Sequence, residues 1–383
     1  MPDLIEEGLE KYRRKMLGTI LRPPIANETA SKEAIRHFAD GLGDPNPLWR
    51  DEAYALASIH QGIIASPLFL NAVSEGQAIV GLPGLIATFV GSEWEWFKLI
   101  RVGDRFSVTN ELLDLQELEN KDGRRRFLQT GLIRYTNQDD HLTGSCRWTL
   151  MRSETKPGQL KKKDLKKDEP PQSPYHYSEE ELRAIYQAIE SEEVRGGNPR
   201  TFEEVEVGDL LPAVIKGPLS LSDMVAWACG INWQRIALAH GMKLSFLRRY
   251  PGLSYIDPET GTPEPIANSH FLSSAARILM GSPLPLDLGF QRVCWMGHLV
   301  TNWMSDVGFL KKLEVRLNGF VRFGDTTWCQ GKVSGKRCEG GEHRIELALL
   351  AKNQEGKMTT EGKAEVILPA GDQLPAKKKE KRR

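Results

Sequence analysis

The sequence predicts an α+β protein in which one domain occurs twice, and three observations predict it. Ile100-Arg101-Val102-Gly103-Asp104 recurs as Val321-Arg322-Phe323-Gly324-Asp325, and Asn137-Gln138 recurs as Asn353-Gln354, at offsets of 221 and 216 residues. Each copy runs from an amphipathic helix to a more apolar helix and then to strands, which is an α+β order. Between the copies lies a stretch of linker composition, rich in lysine and proline. The length of 383 residues exceeds that of a single core, which also fits two domains.

In the first copy, Thr29 or Ser31 can cap a helix whose apolar positions Ile35, Phe38, Ala39 and Leu42 share one face. That helix stops at Gly43-Asp44-Pro45-Asn46-Pro47-Leu48-Trp49-Arg50, where two prolines hold the Asp44 carboxylate in a rigid turn. An apolar helix begins near Ser66-Pro67, with proline well placed at the first helical position. Gly103-Asp104 opens a strand, and a charged turn over Asn120 to Arg126 leads to a second strand that ends at Asn137-Gln138. Lys156 to Asp168 and Pro170-Pro171-Gln172-Ser173-Pro174 read as a solvated linker. Ser178 to Glu193 follows as a surface helix with an acidic start.

In the second copy, Ser220 or Ser222 leads into a helix bearing Met224, Trp227 and Ala228. Met242 to Leu286 is an irregular insertion rich in Pro and Gly. The second apolar helix runs from about Gln291 to Phe309, with Val293, Gly297, Val300 and Met304 on one face. After Gly324-Asp325 and a charged turn over Lys336 to His343, Ile345, Leu347, Leu349 and Ala351 alternate with Arg344, Glu346 and Ala348. That is the pattern of a half-buried antiparallel strand. Gln354 to Lys357 turns into a last strand reaching Ala364 to Leu368, and Lys377 to Arg383 forms a basic solvated tail. The resulting division is 1–153, a linker and surface helix over 154–199, 200–370, and a tail over 371–383.

Composition narrows the function classes. Lys plus Arg and Asp plus Glu each number 51, so no net field draws the chain to nucleic acid or to a membrane. No run of 18 apolar residues occurs, and the first thirty residues lack a signal-peptide core. The five cysteines are odd in number and form no CxxC pair, which points to free thiols in a reducing cytoplasm. Walker, GxGxxG, GxSxG and metal-ligand patterns are all missing. Nucleotide-binding, lipase-type and zinc enzymes are disfavoured, and no cofactor or metal is expected.

The helix with its GDPNPLW turn, the Gly62-Ile63-Ile64-Ala65-Ser66-Pro67 approach to the central helix, and both Gly-Asp strand openings together resemble the MaoC-like (R)-specific enoyl-CoA hydratases and acyl dehydratases. The resemblance covers about residues 15–153, with its FAS1-like dehydratase character, and 200–370. It implies a double hotdog, in which two antiparallel sheets each wrap a central helix. It also implies hydration or dehydration of an acyl-CoA thioester, and a homodimer or a related hotdog subunit as partner. In that family a turn Asp and a His five positions later hold the attacking water. A carboxylate can deprotonate water while a second group returns the proton to the α-carbon, and helix N-termini suit the developing oxyanion. By resemblance, Asp44 is the water-holding acid/base, Gly62 a backbone donor to the thioester oxygen, and Ser66 a partner of Asp44. Asn46 and Ser66 stand at the substrate, Asn46 chiefly as a tie within the turn; Trp49 is a core or pocket-wall aromatic, with contact to an acyl chain or pantetheine arm as the alternative.

Trp49 is the departure, since indole cannot relay a proton. Three explanations stay open: Asp44 acts alone with water, another histidine substitutes, or the site binds thioesters without turning them over. His60 lies just before the central helix and is one candidate, against a surface or capping role. His298 is another. With Asn302 and Asp306 it forms a stripe four residues apart, which either borders a pocket between the halves or faces solvent. Alignment sets Trp233 opposite Asp44, so the second copy has no equivalent carboxylate. Arg124-Arg125-Arg126 is an exposed charged turn, with coenzyme A phosphates as the alternative. Glu93-Trp94-Glu95-Trp96, Trp295 and Trp303 are packing aromatics. A hydro-lyase is the first expectation, a non-catalytic acyl-thioester-binding or partner subunit the second, and a hotdog thioesterase the third. The insertion is expected to shape a pocket for a bulky acyl group.

Overall fold

Ten strands form one antiparallel sheet: β1 (Ile20–Leu21), β2 (Leu85–Trp96), β3 (Ser107–Glu117), β4 (Arg126–Thr136), β5 (Leu142–Glu154), β6 (Leu210–Lys216), β7 (Phe309–Leu317), β8 (Thr327–Glu339), β9 (Glu342–Asn353) and β10 (Met358–Ile367). Their order is β1-β3-β4-β5-β2-β7-β10-β9-β8-β6. Read from its own end, each half has the same topology, so the sequence repeat is a repeat of structure. The halves join edge to edge, with β2 pairing β7 from Lys312 opposite Glu95 to Arg316 opposite Gly91. Joining them pairs one free edge of each half with the other, and unpaired edges invite aggregation. The computed structural model describes residues 2–74, 82, 84–119, 125–154, 174–233 and 238–374. The expected linker over Lys156 to Ser173, the Asn120 to Arg124 part of the charged turn, Gln234-Arg235 and the basic tail lie outside the described residues.

Local chemistry explains the helices. Ser31 Oγ accepts the Ala34 amide at 3.1 Å and caps Lys32–Leu42, whose buried residues are the predicted Ile35, Phe38, Ala39 and Leu42. Ser220 and Asp223 close a capping box on Leu221–Gly230, and Ser178 and Glu181 do the same on Glu179–Glu190. The central helix of the second half spans Gly289–Met304, and every residue from Phe290 to Met304 is buried. A helix enclosed on all sides must bury whatever polar groups it carries, and here Arg292 is paired with Asp287 at 2.6 Å and Asn302 donates to Glu192 at 2.8 Å. It stops five residues short of the predicted end. Ser305 takes φ 63° and breaks the helix, and Phe309 already opens β7. The first half has a shorter counterpart, a 3₁₀ turn at Pro67–Phe69 followed by Leu70–Val73.

The charged turn predicted over Lys336 to His343 is narrower than expected, because β8 and β9 run on until only Gly340-Gly341 separates them. The insertion is not irregular either. It folds into the helices His240–Arg249 and Ser273–Met280 with a small hairpin, Ser254–Ile256 against Pro263–Pro265. The aromatic segments are core: Trp94 stacks on Trp96 at 5.6 Å, and Trp96 donates to Pro67 O at 2.8 Å.

The two capped helices pack on each other, one from each half. Phe38 meets Trp227, which meets Phe290, both pairs at 6.0 Å, so an aromatic row crosses the interface. Close approach is possible because Gly41 and Gly230 face each other. A Cβ on Gly41 would stand 2.7 Å from Ala226 O, and one on Gly230 2.8 Å from His37 O. Glycine in a helix costs about 0.5–1 kcal/mol relative to alanine, so close approach is the reason for it here. Gly41→Val is expected to destabilise by about 1–3 kcal/mol through overpacking against backbone. A melting temperature equal to wild type would refute the contact.

Candidate functional site at the junction of the halves

The GDPNPLW turn folds as its residue types require. Gly43 ends the helix at φ 66°, and the Asp44 amide bonds back to Ala39 O at 2.9 Å. Asp44 Oδ1 accepts the Asn46 amide at 3.0 Å, and Asn46 Oδ1 accepts the Leu48 amide at 3.0 Å, capping the Pro47–Trp49 turn. Trp49 Nε1 then donates to Asp44 Oδ2 at 2.9 Å. The residue in the family's histidine position therefore closes on the carboxylate as a donor. Asp44 is 1% exposed and Trp49 2%, so the expectation that Asp44 holds water at a cavity meets a carboxylate sealed inside the protein. Asn46 ties the turn together, as its chemistry suggested.

Behind Asp44 lies a buried ionic cluster assembled from distant segments. His298, fully buried on the central helix of the second half, places Nε2 3.5 Å from Asp44 Oδ1 and 3.0 Å from Glu192 Oε1. Both contacts lie off the axis of a straight hydrogen bond, and His298 Nδ1 has no hydrogen-bond partner among the described residues. Asn302 Nδ2 donates to Glu192 Oε1 at 2.8 Å. Lys216, on β6, donates to Leu42 O at 3.0 Å and Gly43 O at 3.1 Å, stitching the second half to the helix end of the first. Burial alone would raise Glu192, but the His298 ring, the Lys216 charge and the Asn302 amide outweigh it and hold the carboxyl below its ordinary range. Burial pulls Lys216 down, against the opposing pull of Glu192 and Asp44. The His298 stripe is interior, which excludes the solvent-facing alternative. His298 approaches the Asp44 carboxylate from the other half, whereas His60 bonds elsewhere.

A narrow cleft opens beside the turn, with about 20 Å³ of space for water-sized groups. Its walls are Trp49, Ile64 and Pro67 from the first half and Met304 and Phe309 from the second; Asn46, His60 and Asp306 bring polar groups. His60 Nε2 lies 2.8 Å from the backbone oxygen of Asp306. Tyr54 donates its hydroxyl to Asp306 Oδ2 at 2.6 Å, while Asp306 Oδ1 is buried with no hydrogen-bond partner among the described residues. Burial raises the Asp306 carboxyl, with Tyr54 and His60 pulling the other way. Burial and then Asp306 push the Tyr54 phenol up to about 12.

Gly62 and Ser66 are not among the residues lining this cleft. The Gly62 amide, expected to face a thioester oxygen, donates to Ala55 O at 2.9 Å. Ser66 Oγ accepts the Leu68 amide at 3.4 Å instead of pairing with Asp44, whose partners are Asn46, Trp49 and His298. No insertion residue lines the cleft, so the insertion does not shape this pocket. Tyr54, Glu192 and Lys216 escaped sequence reasoning, since nothing local marks them. The four-residue spacing His298-Asn302-Asp306 was the available signal, although Asp306 lies beyond the helix end and reaches the cleft from a turn.

Residues 24–143 match the family model described as the FAS1-like dehydratase domain region. A UPF0336 protein of Streptomyces avermitilis is 30% identical over 107 residues, which are 26% of this chain and 71% of that protein. A protein of Thermomonospora curvata described as a probable enoyl-CoA hydratase alpha subunit is 25% identical over 169 residues, 38% of this chain and 52% of that one. Among solved structures, a MaoC-like dehydratase superposes with a TM-score of 0.62 at 14% identity, over 93% of this chain and 99% of that one, a likeness of fold. Among the described residues, no helix is long and apolar enough to cross a membrane. Strand order, the turn, the central helix and these matches agree: the chain belongs with the UPF0336 proteins to the family carrying the FAS1-like dehydratase region, and has the double hotdog fold seen in MaoC-like dehydratases.

Proposed function

We propose that the protein is a hydro-lyase that adds or removes water across the 2,3 double bond of an acyl-CoA thioester in the cleft between its halves. The observation that carries this reading is the cleft itself: a largely apolar slot beside the hydratase turn, into which Asn46, His60, Lys98 and Asp306 bring polar groups. Trp49 forms the wall against the acyl chain or pantetheine arm. Asn46 spends Oδ1 on the turn, while its Nδ2 has no partner among the described residues and is free to donate to the thioester oxygen as it gains charge. Asp44 and His298 hold the turn from behind. The thioester acidifies its own α-proton, so the reaction asks of the protein only positioning and proton transfer.

The partner-subunit reading draws on three observations. Both Asp44 oxygens are engaged, the Gly62 amide is spent, and the relative from Thermomonospora curvata bears the description of an alpha subunit. Against it, both cleft walls come from one chain. Purified protein incubated with a panel of enoyl-CoA and 3-hydroxyacyl-CoA thioesters, followed by enoyl absorbance and thiol release, separates the readings. Hydration or dehydration is expected. Binding without turnover would favour the partner subunit, and thiol release a thioesterase.

A further inference from the structure

We propose that Asp306, contributed by the second half, is the acid/base residue of the cleft, with Tyr54 of the first half as its positioning residue. The inference rests on the hydro-lyase reading and deepens it. Among the lining residues Asp306 is the only carboxylate. Asp44, the carboxylate expected from the turn, has both oxygens committed, to Asn46 and to Trp49.

Asp306 is held on every side but one. Its amide donates to Gly196 O at 2.9 Å, its carbonyl lies 2.8 Å from His60 Nε2, and Tyr54 fixes Oδ2 at 2.6 Å. Ser305 before it sits at φ 63°, a left-handed conformation rare for a residue with a side chain, and accepts the Arg200 amide at 3.0 Å. With Oδ2, amide and carbonyl fixed, the remaining atom, Oδ1, is buried and has no hydrogen-bond partner among the described residues, on a residue that lines the cleft. An unmade hydrogen bond on a buried carboxylate is costly, and a site that awaits a ligand hydroxyl or water explains why it persists. The ionisable groups against Asp306 are Tyr54 and His60. The loop packed behind it brings Gly196 and Gly197. Burial raises the carboxyl toward the pH at which it can both take and return a proton.

In hydration, Oδ1 takes a proton from water as the water oxygen bonds to C3. The C2–C3 π pair moves through C2 to the thioester oxygen as an enolate. The carboxylic acid then returns the proton to C2, the carbonyl re-forms, and the carboxylate is regenerated. Dehydration runs the same steps backwards.

The test compares wild type, Asp306→Asn and Tyr54→Phe on whichever enoyl thioester wild type hydrates. Asp306→Asn is expected to lose at least about 100-fold in kcat with little change in KM. Tyr54→Phe removes a hydrogen bond that favours the ionised carboxylate, so the pH–rate limb is expected to move up by about one unit. Wild type inert toward every thioester would sink the hydro-lyase reading and this inference together. An active wild type with an equally active Asp306→Asn would overturn this inference alone. If Asp306→Asn does not fold, an unshifted pH profile in active Tyr54→Phe overturns it.

Discussion

Replacing His298 by alanine is expected to destabilise the protein by about 3–5 kcal/mol, the range for truncating a large, fully buried side chain to alanine. The imidazole stands between Glu192 and Asp44, within 3.5 Å of both, and is itself fully buried. Without it two carboxylates face each other across a cavity, with Lys216 and the Asn302 amide as the remaining compensation. Urea unfolding measures the loss; a change below about 1 kcal/mol would mean that water reaches the cluster. The same cluster predicts a pH dependence. Glu192 has its folded pKa below the unfolded carboxylate value of about 4.3, so the unfolded chain binds the proton first as pH falls. Its contribution is therefore complete above that value and is lost as pH drops through the lower folded one. Glu192→Gln is expected to remove this part of the acid-side loss.

Trp49→Ala is the second large effect, at about 3–5 kcal/mol, as for buried aromatic truncations generally. Two losses combine. The indole is 2% exposed and fills the wall between the turn and the cleft, so its removal leaves a void. Its N–H also leaves, and Asp44 Oδ2 has no other hydrogen bond among the described residues. Trp49→Phe separates the two: most of the volume stays, the donor goes, and about 1–3 kcal/mol is expected for the stranded carboxylate oxygen. Equal thermal stability of Trp49→Phe and wild type would show that the indole–carboxylate bond contributes nothing. Under the proposed function, Trp49→Ala also widens the cleft, which should raise KM for the thioester more than it lowers kcat.

Much of the fold was legible because its signals are local. Caps at Ser31 and Ser220, the Ile345-to-Ala351 alternation and the glycine–proline stop after Leu42 act within a few residues, and each appears as read. The errors have local causes too. The predicted extension of the central helix to Phe309 stops at Met304, because Ser305 takes a positive φ with no glycine at that position to mark the break. The insertion resembled a loop because its helices are short, ten and eight residues, and are set among prolines and glycines.

The candidate site was only half legible. A turn of this composition determines by itself that Asp44 is held rigidly, that Asn46 ties it, and that no imidazole follows at the fifth position. What the carboxylate faces is decided elsewhere. Tyr54 and Asp306 stand 252 residues apart in the chain and meet at 2.6 Å. His298 reaches Asp44 only because two glycine-notched helices and the β2–β7 seam set the spacing between the halves. Periodicity and capping encode which face of an element is apolar. They do not encode the register at which two separately folded halves meet, and that register chose which carboxylate is sealed and which lines the cleft.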